Sequence, residues 1–305
     1  IDGSGIEYEN QSIVKNITQD MTLYAQWGIK IIVKTNETFN STDEPEIDYL
    51  VIETDETGNT GTIITPNNYN LHISKTITIE KTIDGSRYYF FSLPFDCSIT
   101  NIKAIDNQNN LLTYAENSTT GDYVICYYNQ ELAANNAGNS INKAWQEIIN
   151  PDYILKANQG YIIGYFGNNN KKITVKFKSN QNQTITSPQN KTLNFGDNYT
   201  WYTEGNNPSS NGWNLIGYPY YETIRECSLT NYVTIPNNDG KTYTQCTYQE
   251  ALNSNKITPF CSFFVQLDKN NPPTFTINEN TTLFANENIQ EKIVINVSNN
   301  KYSDY

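Results

Sequence analysis

The sequence predicts an all-β protein of β-sandwich type, built from two diverged copies of one unit. Three observations carry this. The chain holds 23 Tyr and 13% aromatic residues, which suits strands, where a Tyr ring packs one face and its hydroxyl stays wet. Short alternating or continuous apolar runs recur between Asn, Gly, Asp and Pro turns. One pattern also occurs twice. Ser86-Arg87-Tyr88-Tyr89-Phe90-Phe91-Ser92-Leu93-Pro94 and Gly212-Trp213-Asn214-Leu215-Ile216-Gly217-Tyr218-Pro219 are apolar runs that stop at proline. Each is followed by a second run entered through a small residue: Gly160 before Tyr161-Ile162-Ile163, Ser262 before Phe263-Phe264-Val265. A third run closes each unit, Ile173 to Phe177 and Thr274 to Ile277.

The length of 305 residues accommodates one large β domain or two to three small ones. Net charge is -12 and the isoelectric point about 4.6. That balance argues against nucleic acid, whose phosphates need Lys and Arg, and against docking on anionic lipid. No apolar run approaches the roughly 18 residues of a membrane-spanning helix, so no membrane insertion is expected. Charged residues are only 17%, and Asn is about one residue in seven, a bias that carries little function. The five Cys form no CxxC pair, so neither a zinc or redox motif nor a disulfide scaffold is expected.

In chain order, Met21, Leu23, Ala25 and Trp27 alternate with polar residues as a terminal strand. Gly28 starts a new unit. Strands follow at Ile29–Lys34 and Tyr49–Ile52, separated by a polar loop with Asp43, Glu44, Glu46 and Asp48. Leu71 to Lys81 alternates, with Leu71, Ile73, Ile77 and Ile79 inward, and Asp84-Gly85 turns the chain into the run at Tyr88. The unbroken apolar stretch Tyr88 to Phe91 predicts a strand covered on both faces, ended at Pro94, which cannot donate to a ladder. Tyr123–Tyr128 is a further strand. Gln130 to Ile149 is the best helical candidate, reduced to short turns by Gly138, and 179–190 is expected to be a polar connector. Further strands are expected near Trp201, Trp213, Tyr232, Tyr243, Phe263, Phe275 and Ile293.

Two resemblances attach to these runs. Thr22-Leu23-Tyr24-Ala25-Gln26-Trp27 resembles the ending of the Listeria–Bacteroides repeat, the internalin B-repeat type. Phe91-Ser92-Leu93-Pro94-Phe95-Asp96, the Trp213 run and Pro259-Phe260-Cys261-Ser262-Phe263-Phe264-Val265 resemble elements of surface proteins from Bacteroidetes. The resemblance implies a secreted or outer-surface location, outer-membrane associated. It also implies a division into residues 1–28, the end of a β-grasp-like repeat, then sandwich units at 29–186 and 187–305. Both ends of the chain read as cuts through longer sequence.

Catalytic constellations are weak. His72 lies in a strand, and no Gly-x-Ser-x-Gly elbow accompanies it. With 32 acidic residues some carboxylate pair is always available, but none has a distinguishing context. The loop of Asp43, Glu44, Glu46 and Asp48 lacks EF-hand spacing, and no cofactor or metal motif is found. Trp201, Tyr202, Tyr218, Tyr220 and Tyr221 are the candidate ligand-binding residues, an aromatic platform for sugar rings. The expectation is a non-enzymatic surface protein that binds a host or microbial glycan or protein. A carbohydrate-binding module of a larger polysaccharide-processing protein and a structural spacer remain open.

Overall fold

The computed structural model describes residues 28–44, 46–66, 69–115, 120–135, 144–167, 171–187, 192–194, 212–218, 220–223, 232–237, 242–254, 256–266 and 274–276. The run resembling the Listeria–Bacteroides repeat lies outside them. The described chain is mostly sheet, 55% strand, well above the usual quarter. Its several sheets make an all-β, sandwich-type fold.

The first strands are β1 Lys30–Val33, β2 Thr38–Asn40, β3 Glu46–Thr54, β4 Thr62–Ile64 and β5 Asn70–Asp84. Next come β6 Tyr88–Ser92, β7 Cys97–Ser98, β8 Ile102–Asp106, β9 Leu111–Leu112, β10 Tyr123–Tyr128, helix α1 Gln130–Asn135, β11 Trp145–Glu147 and β12 Ile154–Leu155. Then follow β13 Gly160–Tyr165, β14 Lys172–Lys178, β15 Gln183–Thr186 and β16 Thr192–Asn194. The last are β17 Trp213–Gly217, β18 Tyr232–Pro236, β19 Tyr243–Thr247, helix α2 Tyr248–Asn253, β20 Ser262–Gln266 and β21 Thr274–Thr276.

The N-terminal strands form a coil. β1 pairs in parallel with β3, β3 in parallel with β5, and β2 in parallel with β4. Parallel neighbours need a crossover, and here the short strands β2 and β4 supply it in place of helices. Asp48 ties the coil together, accepting from Ile29 N at 2.9 Å and Ser74 Oγ at 2.6 Å.

β5 carries this coil into the first sandwich. One sheet has the order β1-β3-β5-β14-β8-β9, with β15 also on β5; the other has β11-β10-β13-β6. Their inner faces close one core. Phe91 lies 4.9 Å from Phe177 and 5.7 Å from Tyr161, centroid to centroid. The second unit repeats part of this plan. Its four-stranded sheet runs β19-β18-β20-β17, and a separate two-stranded sheet pairs β16 antiparallel with β21, as β5 pairs with β14. In both four-stranded sheets the spatial order is third, second, fourth, first in chain sequence, all antiparallel.

Four local expectations change. The connector at 179–190 contains β15, because Ile185 is buried beside Leu71. Within the helical stretch from Gln130 the described residues hold α1, and β11 takes Trp145 as an edge strand. Helix α2 is an addition, although Thr247-Tyr248-Gln249-Glu250 is a capping box: Glu250 N donates to Thr247 Oγ1 and Thr247 N to Glu250 Oε2. Trp213 begins β17 half-buried, and the buried polar neighbour is Asn214, whose Nδ2 donates to Gly212 O at 3.1 Å.

Candidate functional site

The outer faces of the two four-stranded sheets meet in a seam, and small residues decide where. In the first sheet Gly160 pairs with Ser92; in the second Ser262 pairs with Gly217. A Cβ on Gly160 would overlap Leu215 Cγ and stand 2.9 Å from Ser262 Cβ. A Cβ on Gly217 would stand 2.6 Å from Ser92 Cβ and 2.7 Å from Gln159 O.

The hydrogen bonds across and beside the seam come in matched pairs. Gly217 N donates to Asn158 O at 2.9 Å, and Ser92 N to Phe260 O at 2.8 Å. Asn158 N donates to Leu93 O and Phe260 N to Tyr218 O. Each unit enters its fourth strand through the same turn. Gln159 N donates to Lys156 O and Cys261 N to Thr258 O, and the third turn residue is left-handed in both: Asn158 at φ 68°, Phe260 at φ 62°. That is the signature of a type II turn, and Pro259 fits its second position. Ser92 Oγ also donates towards Cys261 O at 2.9 Å and Tyr218 O at 3.1 Å.

Aromatic edges fill the rest of the seam. Phe90, Tyr128 and Trp145 of the first sheet meet Phe264 and Tyr243 of the second, with centroids 4.9–6.2 Å apart and planes steeply inclined. This covers the outer side of β6 at Phe90 and Ser92, while Tyr88 stays exposed. Edge-to-face pairs of this kind add about 0.5–1.5 kcal/mol each beyond their burial.

Of the aromatic platform expected from the sequence, Tyr218 and Tyr220 are not surface residues. Tyr218 and Tyr220 are core residues, 1% and 7% exposed, because the chain leaving β17 turns inward over the second core. Tyr218 Oη donates to Glu222 O at 3.0 Å. Tyr221 is half-buried, edge-on to Phe260 at 5.5 Å, and its carbonyl accepts from Ile63 N. Trp201 and Tyr202 lie outside the described residues.

A different aromatic pair is exposed. β18 and β19 pair Tyr232 with Thr247, Thr234 with Gln245 and Pro236 with Tyr243. Paired residues share a face, so Tyr232 and Tyr243 both lie on the outer face of this sheet. They are 60% and 45% exposed; this is the face that forms the seam, and Tyr243 stands at its rim beside Phe90 and Phe264 while Tyr232 lies farther out. Four residues along a strand separate them by roughly 13 Å. The sequence marks both only as strand residues; the period-2 alternation Tyr232-Val233-Thr234-Ile235 is the signal that places Tyr232 opposite the core.

Beside the seam lies a cavity of about 40 Å³, walled by Ile79, Phe91, Phe177 and Phe260 and containing Lys81, Thr54 and Cys261. Lys81 is 8% exposed and Thr54 5%. The two are register partners on β5 and β3, continuing the inward row of Leu50 with Ile77 and Ile52 with Ile79. Burial holds the Lys81 ammonium down to about 8, against a smaller opposing pull from Asp55. Burial also pushes the Cys261 thiol up to about 12 and the Glu222 carboxyl, elsewhere in the second unit, up to about 8. The alternation Ile77, Ile79, Lys81, Ile83 puts Lys81 on the inward phase, the one sequence signal that singles it out. His72 stays on the outer face of β5, 3.3 Å from Thr184 Oγ1 through Nδ1. Among the described residues no three His, Cys, Asp or Glu side chains gather in metal-ligating geometry.

Comparison with protein-family models, curated proteins and solved structures finds no match.

Proposed function

We propose that the chain is a non-enzymatic binding region of an extracellular, cell-surface protein that engages a surface glycan or protein through its β-sandwiches. The observation that carries this is the outer face of β18 and β19, with exposed Tyr232 and Tyr243 at its ends and Thr and Gln side chains between. Aromatic faces pack on the apolar faces of sugar rings and on side chains, while hydroxyl and amide groups meet polar partners. The spacing of roughly 13 Å suits a chain of sugar units rather than a single ring. The surface location rests on the resemblance carried by the run Thr22 to Trp27 and by the repeated proline-stopped runs. A glycan array tests the reading. Selective binding that falls at least tenfold in both Tyr232→Ala and Tyr243→Ala supports it. Turnover of a polysaccharide that is lost on removing a carboxylate pair overturns it in favour of an enzyme. A structural spacer is the second reading, favoured by the matched seam that joins the sandwiches; full-length folding with no ligand on glycan or protein arrays supports that instead.

A further inference from the structure

The cavity beside the seam holds one cation and no carboxylate in a wall that is mostly hydrocarbon. Lys81 enters it from β5 and Thr54 from β3. Among the described residues no hydrogen bond or salt bridge reaches the Lys81 ammonium, and the buried Thr54 Oγ1 is unpartnered. A buried cation without acceptors is costly, and a buried hydroxyl without a partner adds to that cost. Asp55, the nearest carboxylate influence on Lys81, is committed elsewhere. Its Oδ1 accepts from Thr57 N, Thr57 Oγ1 and Asn59 N, and its Oδ2 from Asn59 Nδ2. Most of the remaining wall is hydrocarbon, and Ser92 Oγ spends its proton on backbone carbonyls.

We propose that this chamber binds one small monovalent anion of halide type, held by the Lys81 ammonium. The volume of about 40 Å³ exceeds the roughly 10–15 Å³ a single water needs, so a monatomic ion and a water or two fit. An oxyanion the size of phosphate, with four oxygens to satisfy, does not fit a wall that offers so few donors. The anion completes the charge that Lys81 brings into the core. It also bridges the two units chemically, because Thr258, Phe260 and Cys261 close the chamber from the second sandwich while Lys81 and Thr54 belong to the first.

The test uses the whole chain. Crystals grown in sodium bromide are expected to show an anomalous bromide peak in the cavity. In solution at pH 7, Tm is measured in sodium chloride against sodium gluconate at matched ionic strength. Wild type is expected to gain about 3–5 °C for each tenfold rise in chloride above its dissociation constant. Lys81→Met removes the gain. An empty or water-filled cavity in bromide crystals overturns the proposal. So does an equal chloride response in Lys81→Met, or no difference between chloride and gluconate in wild type. If Lys81→Met fails to fold, the wild-type bromide peak and the wild-type comparison of chloride with gluconate decide.

Discussion

Gly160 and Ser262 occupy the same position in two sheets of the same strand order, and they meet each other across the seam. Ser92 and Gly217, their respective pairing partners, also meet each other. Contact between equivalent residues is what a two-fold, isologous interface produces at its axis. The two sandwiches of one chain are therefore joined in the way two copies of a subunit join. The reason is steric: backbones approach this closely only where side chains are absent or small.

Gly160→Val and Gly217→Val are each expected to cost about 1–3 kcal/mol, because each new side chain needs space already filled by the opposite unit. The double variant is expected to cost less than the sum, since opening the seam for one substitution makes room for the other. Urea unfolding of the three variants measures this. Additive costs would place the two glycines in independent environments.

Phe260 holds a left-handed backbone, unusual for a bulky residue, while its ring is buried against Tyr221. Phe260→Ala is expected to lose about 3–5 kcal/mol through the emptied ring site. Phe260→Gly loses the same ring but relieves the backbone, so it is expected to be more stable than Phe260→Ala by about 1 kcal/mol. The usual order of the two substitutions is thereby reversed. Finding Ala the more stable of the pair shows that the backbone there is unstrained.

Glu222 sets a pH dependence. Its folded pKa, about 8, lies above the ordinary 4.5. The folded state therefore binds the extra proton, and this contribution to stability is complete below the ordinary value and lost as pH rises through about 8. The slope is about 1.4 kcal/mol per pH unit in that window. Lys81 acts elsewhere: depressed from 10.5 to about 8, it makes stability rise with pH between those values. Unfolding free energy measured between about pH 5 and 7.5 reads Glu222 together with Glu53, whose carboxyl burial also raises, and the Glu222→Gln difference separates the two. Glu222→Gln is expected to reduce the slope, and an unchanged slope assigns the dependence to other groups.

Thr247→Ala removes one half of the α2 capping box and is expected to cost about 1 kcal/mol. Hydrogen exchange of the α2 amides checks it locally: faster exchange confined to 248–253 is the expected pattern.

Much of the architecture is legible in the sequence where packing follows from side-chain pattern. The run stopped by Pro94, the small residues that open the Tyr161 and Phe263 strands and the inward row of β5 all emerge in the structure as read, while Pro219 lies outside the described residues. Pairing direction is not legible, because alternation is the same in parallel and antiparallel strands; hence the coil of β1 to β4 comes only with the structure. The burial of Tyr218 and Tyr220 is not legible for a related reason. Tyr218 and Tyr220 are aromatic and lie beside a turn, yet composition does not tell a wet ring from one folded over a core. Lys81 escapes a sequence reading because a charge in a strand is normally taken as solvent-facing, and only its place in the inward alternation argues otherwise.

Calorimetry of the intact chain tests most directly that the seam makes one body of the two sandwiches. Wild type is expected to melt in a single cooperative transition, and Gly217→Val to split it into two, one for each core. Two separate transitions already in wild type, with the same midpoints in Gly217→Val, would show that the sandwiches fold independently and that the seam contributes nothing to holding them together.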